Sequence, residues 1–215
     1  MIDKQKIAAE ATVFFNKLWS KGDPWDLEGN PFETAKYDAQ FAVLDADKGR
    51  YGRALEIGCA AGVFTRRLAE RCDSVVALDV AEPAIALARA RNAAANITNI
   101  DYRLANVMEW KEELDEQWDL VVLAETLCYL GWLYPFFDVA WFAHCLHQGT
   151  RPGGRLLLAN TCGGVEDYLL KPWIIRTYHD LFRNAGFEVV QDTMFRGNKN
   201  GADIEAIVTL LKKPG

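Results

Sequence analysis

Two apolar runs constrain the fold of this chain more than any other feature. "DLVVLAE" (Asp119–Glu125) and "RLLLAN" (Arg155–Asn160) lack the alternation of a strand with one wet face. Strands apolar on both faces belong inside a parallel sheet covered by helices on each side. The chain after residue 50 supplies such a sheet. "GRALEIG" and "SVVALDV" read as strands, each followed by a helical stretch, "VFTRRLAERC" and "EPAIALARARNAA". "IDYRLAN" and "WDLVVLAE" are two further strands joined by a short polar link. An aromatic helix covers residues 134–148, "RPGGRLLLAN" is a strand, and "PWIIRTYHDLFRNAG" is a helix. Strands alternating with helices imply an α/β fold with helices on both faces. Only "MFRGNKNG" separates the last two strands, "FEVVQDT" and "DIEAIVTLLKK". That is too short for a crossover helix, so they form an antiparallel hairpin at one edge.

Before the sheet, Ile7, Ala11, Phe14, Leu18 and Trp19 repeat at helical spacing, which predicts a helix over residues 4–20. "KGDPWDLEGNPF" breaks it, and a second helix runs from near Glu33 to before Gly49. The expectation is a single domain over 1–215, with 1–48 as an N-terminal helical cover and 49–215 as the core. A formal net charge of −6 and the lack of any Lys/Arg run disfavour a nucleic-acid partner. No apolar run approaches the ~20 residues of a membrane span, and "MIDKQKIAAEATVFF" lacks the apolar core of a signal peptide. The 5 cysteines include no CxxC pair and read as reduced residues of a cytoplasmic protein. The expected partner is a small molecule, and the chain is a monomer or a homodimer.

In an open α/β sheet, ligands bind beyond the carboxyl ends of the strands. The stretch "ALEIGCAAGVFT" brings Glu56, Gly58, Cys59, Ala60 and Gly62 to that place after the first strand. A dinucleotide fingerprint needs a third small residue where Val63 stands. The pattern here is E-x-G-x-A-x-G, with its acid at the strand end. A carboxylate there repels a pyrophosphate and attracts an ammonium group. S-adenosylmethionine carries an ammonium and a sulfonium and no phosphate, so the motif favours it over NAD. Asp79, ending the second strand with Val80 beside it, is placed to take the ribose hydroxyls. After the third strand, Asn106 can bond the adenine edge, and Val107 or Met108 can pack on its face. Ala124 ends the fourth strand at the same site.

These residues resemble the class I S-adenosylmethionine-dependent methyltransferases, and within them the NodS-like nodulation methyltransferases. The second resemblance rests on "DPWDLEGNPFE" (Asp23–Glu33), "ALEIGCAAGVFT" (Ala54–Thr65) and "DLVVLAETLCYL" (Asp119–Leu130). It implies a Rossmann-like, seven-stranded, mostly parallel sheet with the last strand antiparallel. It also implies S-adenosyl-L-methionine as cofactor, S-adenosyl-L-homocysteine as product, and an amine or amino-sugar nitrogen as acceptor. The chain departs from the family in Asn106, where an aspartate is common. It departs again in the aromatic "YLGWLYPFFDVAWF", which argues against a very polar oligosaccharide.

Methyl transfer from a sulfonium is an in-line displacement. It needs a lone pair held ~3–3.5 Å from the methyl and water kept out. No metal is required; His144 and His147 share a helix face but have no third ligand near them in sequence. Glu125 and Tyr129, beyond the fourth strand, are the catalytic candidates. An amine acceptor needs little help from a base, whereas a hydroxyl would use Glu125 as one. Glu125 can equally be a helix-start acid facing the dipole, and Tyr129 a core residue. Trp25 and Phe32 can shield the sulfonium or only staple the first helices to the core. Tyr37 can bond the methionine carboxylate, and Tyr168, Lys171 and Trp173 can form the opposite wall. O-methylation and non-catalytic cofactor binding are the alternatives.

Overall fold

The computed structural model describes residues 4–109, 117–164 and 168–215. The strands are β1 (Tyr51–Ile57), β2 (Cys72–Asp79), β3 (Ile100–Leu104), β4 (Trp118–Ala124), β5 (Thr150–Thr161), β6 (Glu188–Lys199) and β7 (Ala202–Lys212). The helices are α1 (Lys4–Trp19), α2 (Pro31–Asp47), α3 (Val63–Ala69), α4 (Glu82–Ala94), α5 (Leu127–Leu133), α6 (Phe136–Gly149) and α7 (Pro172–Asn184). A 3-10 turn spans Tyr168–Leu170. The strands form one sheet in the order β3-β2-β1-β4-β5-β7-β6. β1 to β5 pair in parallel, and β7 runs antiparallel to both β5 and β6. The expected Rossmann-like sheet with its last strand reversed is therefore the observed one.

Both faces of the central strands are covered, which explains runs without alternation. Leu55, Val121, Leu123, Leu156 and Leu158 pack with Leu127, Val139, Leu146 and Phe182 of α5, α6 and α7. On the other face Ala54, Leu120, Val122, Leu157 and Val208 pack with Phe64 and Leu68 of α3. Trp19 of α1 and Tyr37, Phe41 and Leu44 of α2 belong to this same cluster. Phe41 stacks on Phe64 with ring centroids 4.4 Å apart. The Arg155 guanidinium holds both oxygens of Asp47 at 2.8 Å, tying the end of α2 to β5.

The first two helices are thus part of the core as well as a cover. Removing one large buried aromatic costs about 3–5 kcal/mol, against about 5–15 kcal/mol for a whole domain. Deletion of residues 1–48 is therefore expected to abolish cooperative thermal unfolding. Calorimetry of the truncated chain checks this, and a wild-type-like transition would show that the core stands alone.

The element boundaries differ from expectation in three places. Helix α2 begins at Pro31 because Asn30 caps it, its Oδ1 accepting from Phe32 N at 3.0 Å, with proline in the first turn. α5 was not anticipated. Pro135 forces Tyr134 into an extended conformation (φ −110°, ψ 149°), which separates α5 from the aromatic helix α6. Strand β6 continues to Lys199, so the turn is only Asn200–Gly201, with φ 54° and 86°. Two left-handed residues in sequence make the tight turn that suits strand twist, and Asn-Gly is its usual pair. The polar link before β4 falls largely on residues 110–116, outside the described residues. Among the described residues, no helix is long and apolar enough to cross a membrane.

Candidate functional site

A cavity of about 420 Å³ opens at the carboxyl ends of β1, β2 and β4, under α1 and α2. That is a common size for a small-molecule site. The turn after β1 forms its floor. Gly58, Ala60 and Gly62 have φ 81°, 50° and 74°, so the alternating small residues mark alternating left-handed positions. A Cβ on Gly58 would run into Thr126 Oγ1. Thr126 cannot easily yield, because that hydroxyl donates to Ile57 O at 2.8 Å and so joins the ends of β1 and β4.

Asp79 closes the turn from the next strand. Its Oδ2 accepts from Ala60 N and its Oδ1 from Ala81 N, both at 2.9 Å. Burial pushes its carboxyl up, and these backbone donors pull it back. Val80 N is a third such donor. Glu56 is 2 % exposed, and its Oε2 has no hydrogen-bond partner among the described residues. Burial pushes its carboxyl up to about 8; the Thr65 hydroxyl opposes this and the Asp79 charge adds to it. Tyr37 also lines the cavity. Burial and the charges of Glu33, Glu125, Glu56 and Asp23 raise its hydroxyl well above the usual value, so it is a neutral donor.

Cys59, Val80, Val107, Ala124, Trp25 and Phe32 line the same cavity. Trp25 packs edge-on against Trp19 at 5.4 Å. Asn106 is on the wall too, but its amide shapes the protein: Nδ2 donates to Tyr134 OH at 2.7 Å, and Oδ1 accepts from Met108 N at 3.1 Å. Two of the expected residues lie off the cavity wall. Gly62 does not line the cavity; a Cβ there would meet Ala88 Cβ at 2.8 Å and Tyr102 OH at 2.9 Å, so it serves the close packing of α3 on α4 and β3. Met108, half-buried, packs against the core cluster that includes Val107 and does not line the cavity. The proposed opposite wall is corrected as well. Tyr168 borders a separate cavity of about 210 Å³ with Trp132 and Tyr178. Trp173 is 70 % exposed, and Lys171 precedes α7 outside the main cavity.

Glu125 and Tyr129 are both on the cavity wall. Glu125 sits at the end of β4 in a left-handed conformation, φ 57°. Its Oε1 accepts from Lys36 Nζ at 3.0 Å and Thr161 Oγ1 at 3.1 Å, and its Oε2 from Thr161 N at 2.8 Å. Lys36 Nζ also bonds Glu33 Oε2 at 2.8 Å, and Lys199 Nζ bonds Glu33 Oε1 at 2.6 Å. Burial alone would raise Glu33 and lower Lys36. The opposite charges outweigh it, so Glu33 lies below and Lys36 above their usual values. Four charged side chains from α2, β6 and the β4 end thus form one internally neutral cluster, with Glu33 and Lys36 buried and Glu125 and Lys199 half-buried. Sequence reading missed Glu33, Lys36, Thr161 and Lys199. Only the Glu33–Lys36 spacing, i to i+3 on a helix, was a signal; Lys199 is 166 residues from Glu33.

This sheet, with its reversed last strand and acidic strand ends around one cavity, is the class I methyltransferase fold. A family model described as "Nodulation protein S (NodS)" matches residues 8–133, and the chain belongs to that family. Nodulation protein S of Rhizobium tropici is 41 % identical over 161 residues, covering 74 % of this chain and 61 % of that protein. Its counterpart in Sinorhizobium fredii (strain NBRC 101917 / NGR234) is 38 % identical over 108 residues, covering 50 % of this chain and 48 % of that protein. The chain therefore spans between 48 % and 61 % of these two curated relatives. The crystal structure of N-methyltransferase NodS from Bradyrhizobium japonicum WM9, in complex with S-adenosyl-L-homocysteine, superimposes with a TM-score of 0.75 at 23 % identity. The superposition covers 97 % of this chain and 99 % of that one, and at this identity it speaks for the fold.

Proposed function

We propose that this chain is an S-adenosylmethionine-dependent methyltransferase acting on the amine nitrogen of a small molecule, amino sugars included, and that residues 1–215 work as one methyltransferase domain. The observation that carries the reading is Glu56, a buried carboxyl on the wall of the cavity that also holds Asp79, with one oxygen left without a partner among the described residues. A buried acceptor without a partner is costly, and an ammonium group supplies what Glu56 lacks. Tyr37 donates to the carboxylate of the same amino-acid half. Asp79, beside its backbone donors, accepts from the ribose hydroxyls. Val80 and Val107 flank the adenine, and Asn106 sets their wall through Tyr134. Gly58, Cys59 and Ala60 let the ligand lie close to the backbone, beside Ala124. Trp25 and Phe32 close the cavity against water.

When bound, S-adenosylmethionine supplies a methyl group already activated on a sulfonium. The chain's own work is to align the acceptor and exclude water. Glu125 keeps a negative charge that attracts and orients the amine as its cation. The amine loses one proton to water before its lone pair attacks the methyl, and Glu125, with three donors on its two oxygens, is poorly placed to take that proton. This favours nitrogen over oxygen, since a hydroxyl needs a free base. Tyr129 contacts the acceptor from α5. The reading includes a cytoplasmic setting, in keeping with 5 cysteines that are all free, and a monomer or homodimer.

Isothermal titration at neutral pH tests the reading. S-adenosylhomocysteine is expected to give saturable heat and NAD none. Saturable heat from NAD with none from S-adenosylhomocysteine would overturn it.

A further inference from the structure

The cavity has two chemically different ends. Asp79, Glu56 and Val107 come from the β3-β2-β1 side of the sheet. Glu125, Thr161 and Ile204 come from the β4-β5-β7 side. At this second end the polar side chains bond one another: Glu33 to Lys36 and Lys199, and Glu125 to Lys36 and Thr161. One lone pair of Glu125 Oε2 is left for an incoming N–H. The remaining surface is apolar: Phe15 of α1, Tyr129 of α5, Leu170 of the 3-10 turn and Ile204 of β7.

The aromatic surface also leads outward. The Tyr129 ring lies edge-on to Phe15 at 5.2 Å, Phe15 to Phe14 at 5.1 Å, and Phe14 to Trp132 at 5.4 Å. Phe14 and Trp132 are exposed, at 41 % and 42 %. A row of rings thus runs from the inner wall to the surface along the seam of α1 and α5.

We infer that the acceptor is an amine carried on an apolar ring, and that Phe15, Tyr129, Leu170 and Ile204 form the slot that holds the ring. The inference rests on the methyltransferase reading and narrows its acceptor class, from any small-molecule amine to amines on apolar rings and away from amino sugars. A hydroxyl-rich ring would lose its water against four apolar walls. It has several hydroxyls to satisfy, against the few N–H groups that Lys36 and Lys199 keep beyond their bonds to Glu33 and Glu125, and each hydroxyl buried without a partner is penalised. An apolar ring gains from the same burial and from edge contacts with Phe15 and Tyr129. Its amine meets the free lone pair of Glu125.

The test titrates tryptamine and glucosamine into the full-length protein saturated with S-adenosylhomocysteine. Tryptamine is expected to bind about tenfold or more tighter than glucosamine. Tyr129→Ala and Leu170→Asn are each expected to weaken tryptamine by about five- to tenfold, and Tyr129→Phe, which keeps the ring, to weaken it less than Tyr129→Ala does. Leu170→Asn keeps the test decisive if Tyr129→Ala fails to fold. Tighter binding of glucosamine, binding of neither amine, or unchanged tryptamine affinity in Leu170→Asn overturns the slot and leaves the cofactor reading standing. A protein that cannot be saturated with S-adenosylhomocysteine overturns the methyltransferase reading itself, and the slot with it.

Discussion

Replacing Lys36 with methionine is expected to lower the unfolding free energy at neutral pH by about 3 kcal/mol, the lower end of what breaking a buried ion pair costs. Lys36 is 4 % exposed and bridges Glu33 and Glu125 at 2.8 and 3.0 Å. Methionine fills most of the volume but leaves two carboxylates near each other with little water. The loss stays at the lower end because Lys199 still answers Glu33 and Thr161 still answers Glu125. The sign of the pH dependence follows from Glu33. Its carboxyl is held below the usual value, so its stabilisation is present above the unfolded value of 4.5 and is lost as pH falls through the folded one. Without Lys36 this carboxyl takes up a proton sooner. The gap between variant and wild type should therefore narrow on acidification. Urea unfolding at pH 7 and pH 4 measures it. A loss below about 1 kcal/mol at pH 7, the worth of an exposed pair, would show that water screens the cluster.

The legible part of the site is the part built from near neighbours in sequence. Glu56, Gly58, Ala60 and Asp79 stand at strand ends, and strand ends follow from apolar runs. Their spacing alone brings them to one edge of the sheet. The charged cluster had no such signal, because Glu33, Glu125, Thr161 and Lys199 meet only through the docking of α2 and the order β4-β5-β7-β6. Nothing local shows that the hairpin reaches over α2, where Phe195 packs edge-on to Phe32 at 5.6 Å. Gly62 stands off the cavity for a different reason. A glycine in a ligand-binding turn and a glycine that lets two helices approach look alike in sequence. Only the neighbours of an added Cβ tell them apart. α5 was missed because seven residues with a central Gly131, ended by Pro135, carry too short a pattern for helical periodicity to declare itself.

Affinity for S-adenosylhomocysteine is expected to rise about tenfold per pH unit between pH 6 and pH 8, and then to level off. In the free protein, burial pushes Glu56 up to about 8, with the Asp79 charge adding and the Thr65 hydroxyl opposing. Glu56 therefore holds a proton at pH 6 and 7. An ammonium group brought against its unpartnered oxygen favours the carboxylate instead. Binding then expels a proton, and each unit of acidity below about 8 works against it. The same shift acts on folding in the opposite sense. A carboxyl raised above its unfolded value of 4.5 gives stability that is full below that value and is lost as pH rises through about 8. The free protein should lose stability toward alkaline pH while the ligand restores it. Titration at pH 6.5 in two buffers of different ionisation enthalpy counts the protons released, and about one is expected. Glu56→Gln cannot ionise, so its affinity should be weak and nearly flat from pH 6 to pH 8. A flat wild-type profile over that range would remove Glu56 as the partner of the ammonium group.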